Sequence, residues 1–182
     1  MKLFAFMGAS GSGKSVIQHS LPIDFMTNCT TRPLREGEID GYHIKQVSKE
    51  EFLRLEKEGY FLETNIYSGN YYGTPKHKIY EVLNGKPYHC TKDINGVNAL
   101  KDKLGNRVIS IYIRPPSLFE LGKRMSSRGD SEEEIEKRLN YLFEANELEN
   151  EKYADYIIIN NDLMEAQLEA HRIVLKEILK GN

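Results

Sequence analysis

Gly8-Ala9-Ser10-Gly11-Ser12-Gly13-Lys14-Ser15 is the stretch that decides how this chain is read. It has the spacing G-x-x-x-x-G-K-[ST] of a phosphate-binding loop. It also follows an apolar run, Leu3-Phe4-Ala5-Phe6-Met7, whose pattern predicts a buried strand. Glycines let successive backbone N–H groups curl around phosphate oxygens without side-chain clashes, and the positive end of a following helix adds to that field. Lys14 is placed to bridge the β and γ phosphates, and the Ser15 hydroxyl to ligate Mg²⁺. A Gly/Ser turn would share the composition. The strand before it and the helix-permissive Ser15-Val16-Ile17-Gln18-His19 after it favour a site for a nucleoside triphosphate.

Outward from the loop, strand-like runs fall at Leu3–Met7, Pro87–Thr91, Val108–Ile113 and Tyr156–Ile159. Helical patterns lie between or after them, at Ile94–Leu104, Ser117–Ser127, Ser131–Asn150 and Leu163–Leu179. Such alternation predicts an α/β fold, a parallel sheet core with helices on both faces. Ser48-x-x-Glu51, Ser117-x-x-Glu120 and Ser131-x-x-Glu134 are capping-box signatures that mark helix starts. The stretch from about Asp24 to Gly85 breaks the pattern, with short alternating segments, Gly/Pro/Asn punctuation and an amphipathic helix near Ser48–Glu58. It is expected to form a small antiparallel sheet plus helix, inserted into the core.

The 182 residues suffice for one compact domain with a sizeable core. A formal net charge of −2 argues against a dedicated nucleic-acid binder, so any anion site must be a local concentration of Arg and Lys. Cys29 and Cys90 are too few for a disulfide framework and are expected to be reduced core thiols, which suits the cytoplasm. The apolar run after Lys2 stops at Gly8, too short for a signal peptide, and no stretch approaches the ~20 apolar residues of a membrane span.

Thr30-Thr31-Arg32-Pro33-Leu34-Arg35-Glu36-Gly37-Glu38-Ile39-Asp40-Gly41 resembles the acceptor-site loop of the guanylate kinase family. Ser68-Gly69-Asn70-Tyr71-Tyr72-Gly73-Thr74 is similar to a second segment of that family. Asp93-Ile94-Asn95-Gly96-Val97, Pro115-Pro116-Ser117, Arg124-x-x-x-Arg128-Gly129, Lys137-Arg138-Leu139 and Asn160-Asn161-Asp162-Leu163 follow in the family's order, over nearly the whole chain. The resemblance implies a phosphate-loop kinase that transfers the ATP γ-phosphoryl to GMP, and to dGMP, with Mg²⁺. It implies a single domain in three parts: a core (about 1–23, 86–123 and 151–182), an α+β acceptor part (about 24–85) and a helical lid (about 124–150). The expected partners are ATP and GMP alone, with no nucleic acid and no membrane. Asn160 is expected near the adenine of ATP.

The side chains suit that chemistry. Planar guanidinium groups grip a monophosphate bidentately, and Arg32 and Arg35 stand three apart in a Pro/Gly-flanked turn. The Tyr72 hydroxyl can donate to the same phosphate. Glu63 and Asp93 can accept from N1–H and the N2 amino group of guanine, whereas adenine would set a lone pair against them. Asn28 and Thr74 can add hydrogen bonds to the base. Arg124, Arg128 and Arg138 match the family's lid, which neutralises the transferring group and excludes water. These cations could equally pair with the nearby Glu132, Glu133, Glu134 and Glu136.

Three positions depart from the family pattern. Asn28 stands where a serine is usual, and Thr91 where an aspartate is common. Ile44 falls on the family's phosphate-binding tyrosine, and Tyr42, two residues earlier, would share its face if this segment is a strand. Tyr42 is therefore expected to supply the missing hydroxyl. Asn28 and Ile44 motivate an alternative, a relative with another phosphorylated acceptor such as a deoxynucleotide or sugar phosphate. A catalytically silent, protein-binding relative is the other alternative; retention of Lys14 and Ser15 argues against it.

Overall fold

A computed structural model describes residues 1–35, 37–67, 69–127, 129–144 and 146–180. In chain order the elements are β1 (Leu3–Met7), α1 (Lys14–His19), β2 (Asp24–Phe25), β3 (Asn28–Thr30), β4 (Ile44–Gln46), α2 (Lys49–Lys57), β5 (Phe61–Tyr67) and β6 (Asn70–Pro75). There follow α3 (Lys76–Leu83), β7 (Tyr88–Thr91), α4 (Ile94–Leu104), β8 (Val108–Arg114), α5 (Leu118–Ser127), α6 (Glu132–Glu144), β9 (Tyr156–Ile159) and α7 (Leu163–Lys180). The fold class is the one the strand–helix alternation predicts, a parallel sheet core with helices on both faces. Among the described residues no helix is long and apolar enough to cross a membrane.

The chain's contacts divide it into two compact units, Met1–Leu3 with Ile23–Val108, and Phe4–Pro22 with Ile109–Asn182. In the first, β2 and β7 pair in parallel, and the Tyr88 N–H donates to the Lys2 carbonyl at the start of β1. The same unit holds a four-stranded sheet in the order β4-β3-β6-β5. This sheet is mixed where an antiparallel one was expected, because β3 and β4 run parallel while β3–β6 and β5–β6 are antiparallel. The connection 31–43 is long enough to carry the chain back to the start of the sheet, which a tight hairpin cannot do. One face of the sheet is closed by Cys29, Phe52 and Phe61, with Tyr71 packed alongside. Phe52 of α2 is fully buried and stacks on Phe61 at 4.6 Å between centroids, burial worth about 2–3 kcal/mol.

In the second unit β1 neighbours β8, which pairs in parallel with β9. The β1 strand is buried throughout, which explains its continuous apolar run. The helices α5 and α6 contribute Leu121, Met125 and Leu142 to a cluster that includes Ala9 of the phosphate loop. All three capping serines accept from the N–H three residues on, and the Ser131–Glu134 pair is reciprocal, Glu134 also accepting from Ser131 N–H at 2.9 Å. The predicted helix over 131–150 stops at Glu144. Asn146 adopts a left-handed conformation (φ 47°), and Glu147–Tyr153 continues as a 3₁₀ turn held by a bidentate ion pair from Arg114 to Glu151. Both cysteines are unpaired and buried, and burial pushes their thiols up, Cys29 to about 11 and Cys90 to about 12.

Candidate functional site

The phosphate loop occupies the turn from β1 into α1, in the second unit. Gly8 and Gly13 take positive φ, 132° and 96°. A Cβ on Gly8 would lie 2.4 Å from the Ile113 carbonyl oxygen, and one on Gly13 would lie 2.2 Å from the Asn160 amide nitrogen. Both glycines are therefore required by space as well as by backbone angle. The Lys14 ammonium curls back over the loop and donates to the carbonyls of Gly8 (2.5 Å) and Ala9 (2.8 Å). Ser15 is exposed at the start of α1, while Ser12 is fully buried.

Two of the expected lid arginines converge on this loop. Arg138 of α6 donates to the Ser10 hydroxyl at 3.1 Å and pairs with Asp130 at 3.3 Å. Arg124 of α5 donates to the Asn160 carbonyl at 3.1 Å. Arg128, the third, lies outside the described residues. The Asn160 side chain points into the loop: it is 3% exposed, its Nδ2 donates to the Ser12 carbonyl at 2.8 Å, and its Oδ1 is buried with no partner among the described residues. The residue thus props the loop from behind, a role that no local spacing could reveal.

Four of the residues expected to bind the acceptor, Asn28, Glu63, Tyr72 and Thr74, gather in the first unit, on the face of the four-stranded sheet opposite the Phe52 cluster. Tyr71 packs on Phe52, so strand alternation turns Tyr72 and Thr74 to the other side. Asn28 joins them, because its neighbour Cys29 faces the cluster. Glu63 joins through a register shift between Phe61 and Glu63, which sets Phe61 opposite Pro75 and Glu63 opposite Thr74. Without this bulge Glu63 would follow Phe61 into the cluster; with it the carboxylate is aimed at the polar face. There the Thr74 hydroxyl, fully buried, donates to Glu63 Oε1 and lies 3.3 Å from Asn28 Oδ1.

Lys92 and Asp93 adjoin at the β7–α4 junction, and of the two only Lys92 is hydrogen-bonded to this network. Asp93 is the N-cap of α4, its Oδ1 accepting from Gly96 N–H at 2.8 Å while Oδ2 accepts from the Asn65 amide. Lys92 reaches into the same network: its ammonium donates to Glu63 Oε1 at 2.6 Å and to Thr74 Oγ1. The side chains of the Lys92–Glu63 pair are 6% and 10% exposed. A lysine at a strand–helix junction ordinarily reads as a solvated charge, so nothing in the sequence marks it.

On the turn after β3, the Arg32 guanidinium grips both carboxylate oxygens of Glu38 at 2.8 and 2.9 Å, and Glu38 Oε2 also accepts from the Arg35 N–H at 2.7 Å. Burial alone would raise the Glu38 carboxyl; the Arg35 N–H and the Arg32 cation outweigh it and hold the group below its ordinary value.

The family model for guanylate kinase matches residues 1–177. The chain belongs to the guanylate kinase family. Relatives named guanylate kinase include one from Oceanobacillus iheyensis, 36% identical over 98% of this chain and 88% of that protein. Another, from Symbiobacterium thermophilum, is 38% identical over 96% of this chain and 85% of its own length. Among solved structures, the guanylate kinase from Anaplasma phagocytophilum superposes with a TM-score of 0.75 at 26% identity, covering 97% of this chain and 85% of that one.

Against the guanylate kinase pattern, two of the departures, Asn28 and Ile44, sit side by side on β3 and β4, and Thr91 ends β7. Ile44 is the register partner of Asn28. Tyr42, however, is not on a strand with it. Residues 41–43 form a turn in which Tyr42 and His43 N–H both donate to the Ile39 carbonyl, and β4 starts only at Ile44. The same-face relation expected for Tyr42 therefore does not apply, and its ring is 60% exposed beside His43.

Proposed function

We propose that this chain is an ATP:GMP phosphotransferase, moving the ATP γ-phosphoryl to GMP, and to dGMP, to give ADP and GDP or dGDP. The observation that carries the reading is the buried network of Asn28, Thr74 and Glu63, whose second carboxylate oxygen, Oε2, accepts from no described residue. That oxygen suits the N1–H and N2 donors of guanine and would face a lone pair in adenine. Arg32, Arg35 and Tyr72 hold the acceptor phosphate. Asp93, anchored as a helix cap, assists base selection.

An acceptor phosphate oxygen attacks the γ-phosphorus, the bond to the β,γ-bridging oxygen breaks, and ADP leaves with that electron pair. An ionised phosphate needs no general base, so the protein's work is positioning and charge neutralisation. Lys14 moves from the loop carbonyls to the phosphates, Asn160 holds the loop that carries them, and Arg124, Arg128 and Arg138 balance the transferring group. Mg²⁺ fits this donor set. The Ser15 hydroxyl, exposed at the start of α1, would be its protein ligand. When bound, the ion adds charge neutralisation at the phosphates. Two buried, unpaired thiols accord with a cytoplasmic location.

The test is ADP release from ATP and Mg²⁺ across GMP, dGMP, AMP, CMP, UMP and dTMP. Turnover confined to GMP and dGMP is expected, and Lys14→Ala should abolish it while leaving GMP binding in place. Turnover with a different acceptor, or full activity in that variant, overturns the reading.

A further inference from the structure

Lys92 stands out among the charged side chains because its position serves no evident structural need. A lysine in the turn between β7 and α4 could extend into water at no cost; here it is buried and turned onto Glu63 and Thr74. Burial of an ammonium is expensive unless hydrogen-bonding partners meet it. It has three N–H donors, of which two go to Glu63 Oε1 and Thr74 Oγ1. The third has no partner among the described residues. Glu63 is complementary, with Oε1 shared by Lys92 and Thr74 and Oε2 taken by no described residue. The buried network therefore keeps one free donor and one free acceptor on adjoining groups.

We propose that Lys92 is a base-specificity residue that donates its third N–H to the 6-oxo group of the acceptor purine. The inference rests on the GMP acceptor of the preceding reading and adds to it a positive charge in the base subsite. Guanine presents the acceptor O6 beside the donors N1–H and N2–H₂, so the ammonium and the free carboxylate oxygen meet adjoining atoms of one ring edge. Adenine puts an amino group where O6 would be, and two donors then face each other. The charge has a second consequence. Glu63 and Asp93 are two carboxylates offered to a neutral base, and Lys92 offsets one of them where water is scarce.

Replacing O6 by sulfur isolates the contact, since sulfur is a poorer acceptor while N1–H and N2–H₂ remain. Wild-type protein should favour GMP over 6-thio-GMP in kcat/KM by about tenfold or more, the range of a charge-assisted hydrogen bond. In Lys92→Met that preference should collapse to about threefold or less, with the preference for GMP over IMP, which reads the N2 group, left in place. A merely structural role, steadying Glu63, would lower both substrates together and leave their ratio unchanged. Lys92→Gln retains a neutral donor and should keep an intermediate preference, so it serves if the methionine variant fails to fold. A wild-type enzyme indifferent to sulfur, or variants that keep the full wild-type ratio, overturn the role of Lys92 while the GMP kinase stands. Absence of turnover with GMP removes both.

Discussion

Arg32 is useful to a phosphate only if its fork is already oriented, and Glu38 supplies that orientation through two parallel hydrogen bonds. The carboxylate belongs to the group of acids whose folded pKa lies below the unfolded one. Its contribution is therefore complete above the ordinary glutamate value of 4.5 and is lost as pH falls through the lower, folded pKa. With both side chains partly exposed, the pair is worth on the order of 0.5–1 kcal/mol. Glu38→Gln should lower the Tm at pH 7 by about 1–4 °C, and the gap should close in acid. Thermal melts of both proteins from pH 3 to pH 7 measure it; a gap that widens in acid would contradict the assignment.

At the scale of elements, the phosphate loop depends on two partners, the strand it leaves and the amide of Asn160 it rests on. Gly13→Ala meets that amide and forces a side chain into positive φ. It should weaken binding of a non-hydrolysable ATP analogue on the order of tenfold or more, with GMP affinity unchanged by calorimetry. Such elements were legible to different degrees. β1, β9 and α4 have the limits the sequence predicts, since apolar runs and helical periodicity are local signals. The helix α3, Lys76–Leu83, is not marked because Pro75 lends it no side-chain cap and its turns follow directly on β6. The Ser131–Asn150 pattern overran because the left-handed break at Asn146 is not a glycine. For the candidate site, Glu63 could be named from the family resemblance and the donor edge of guanine, but the bulge that turns it to the polar face could not. Lys92 was invisible because its partners come from strands far away in sequence.

For the whole molecule, the two contact units divide the proposed site residues between them. Arg32, Glu63, Thr74 and Lys92 belong to the first, and Lys14, Arg124, Arg138 and Asn160 to the second. Binding of each nucleotide should accordingly be separable by mutation. Glu63→Gln should weaken GMP binding about tenfold or more while an ATP analogue binds as before; loss of both in one titration series would show that the halves do not act independently.

The hydrogen bond from Asn160 to Ser12 joins residues 148 apart in the chain. During synthesis, at about 5–20 residues per second, the glycine-rich segment leaves the ribosome roughly 7–30 s before its support does. Over that interval it is an unbraced turn, and closing so long a span carries the entropy of the whole intervening chain. The glycine-rich loop is thus among the last features to mature, although its residues are among the first to be translated.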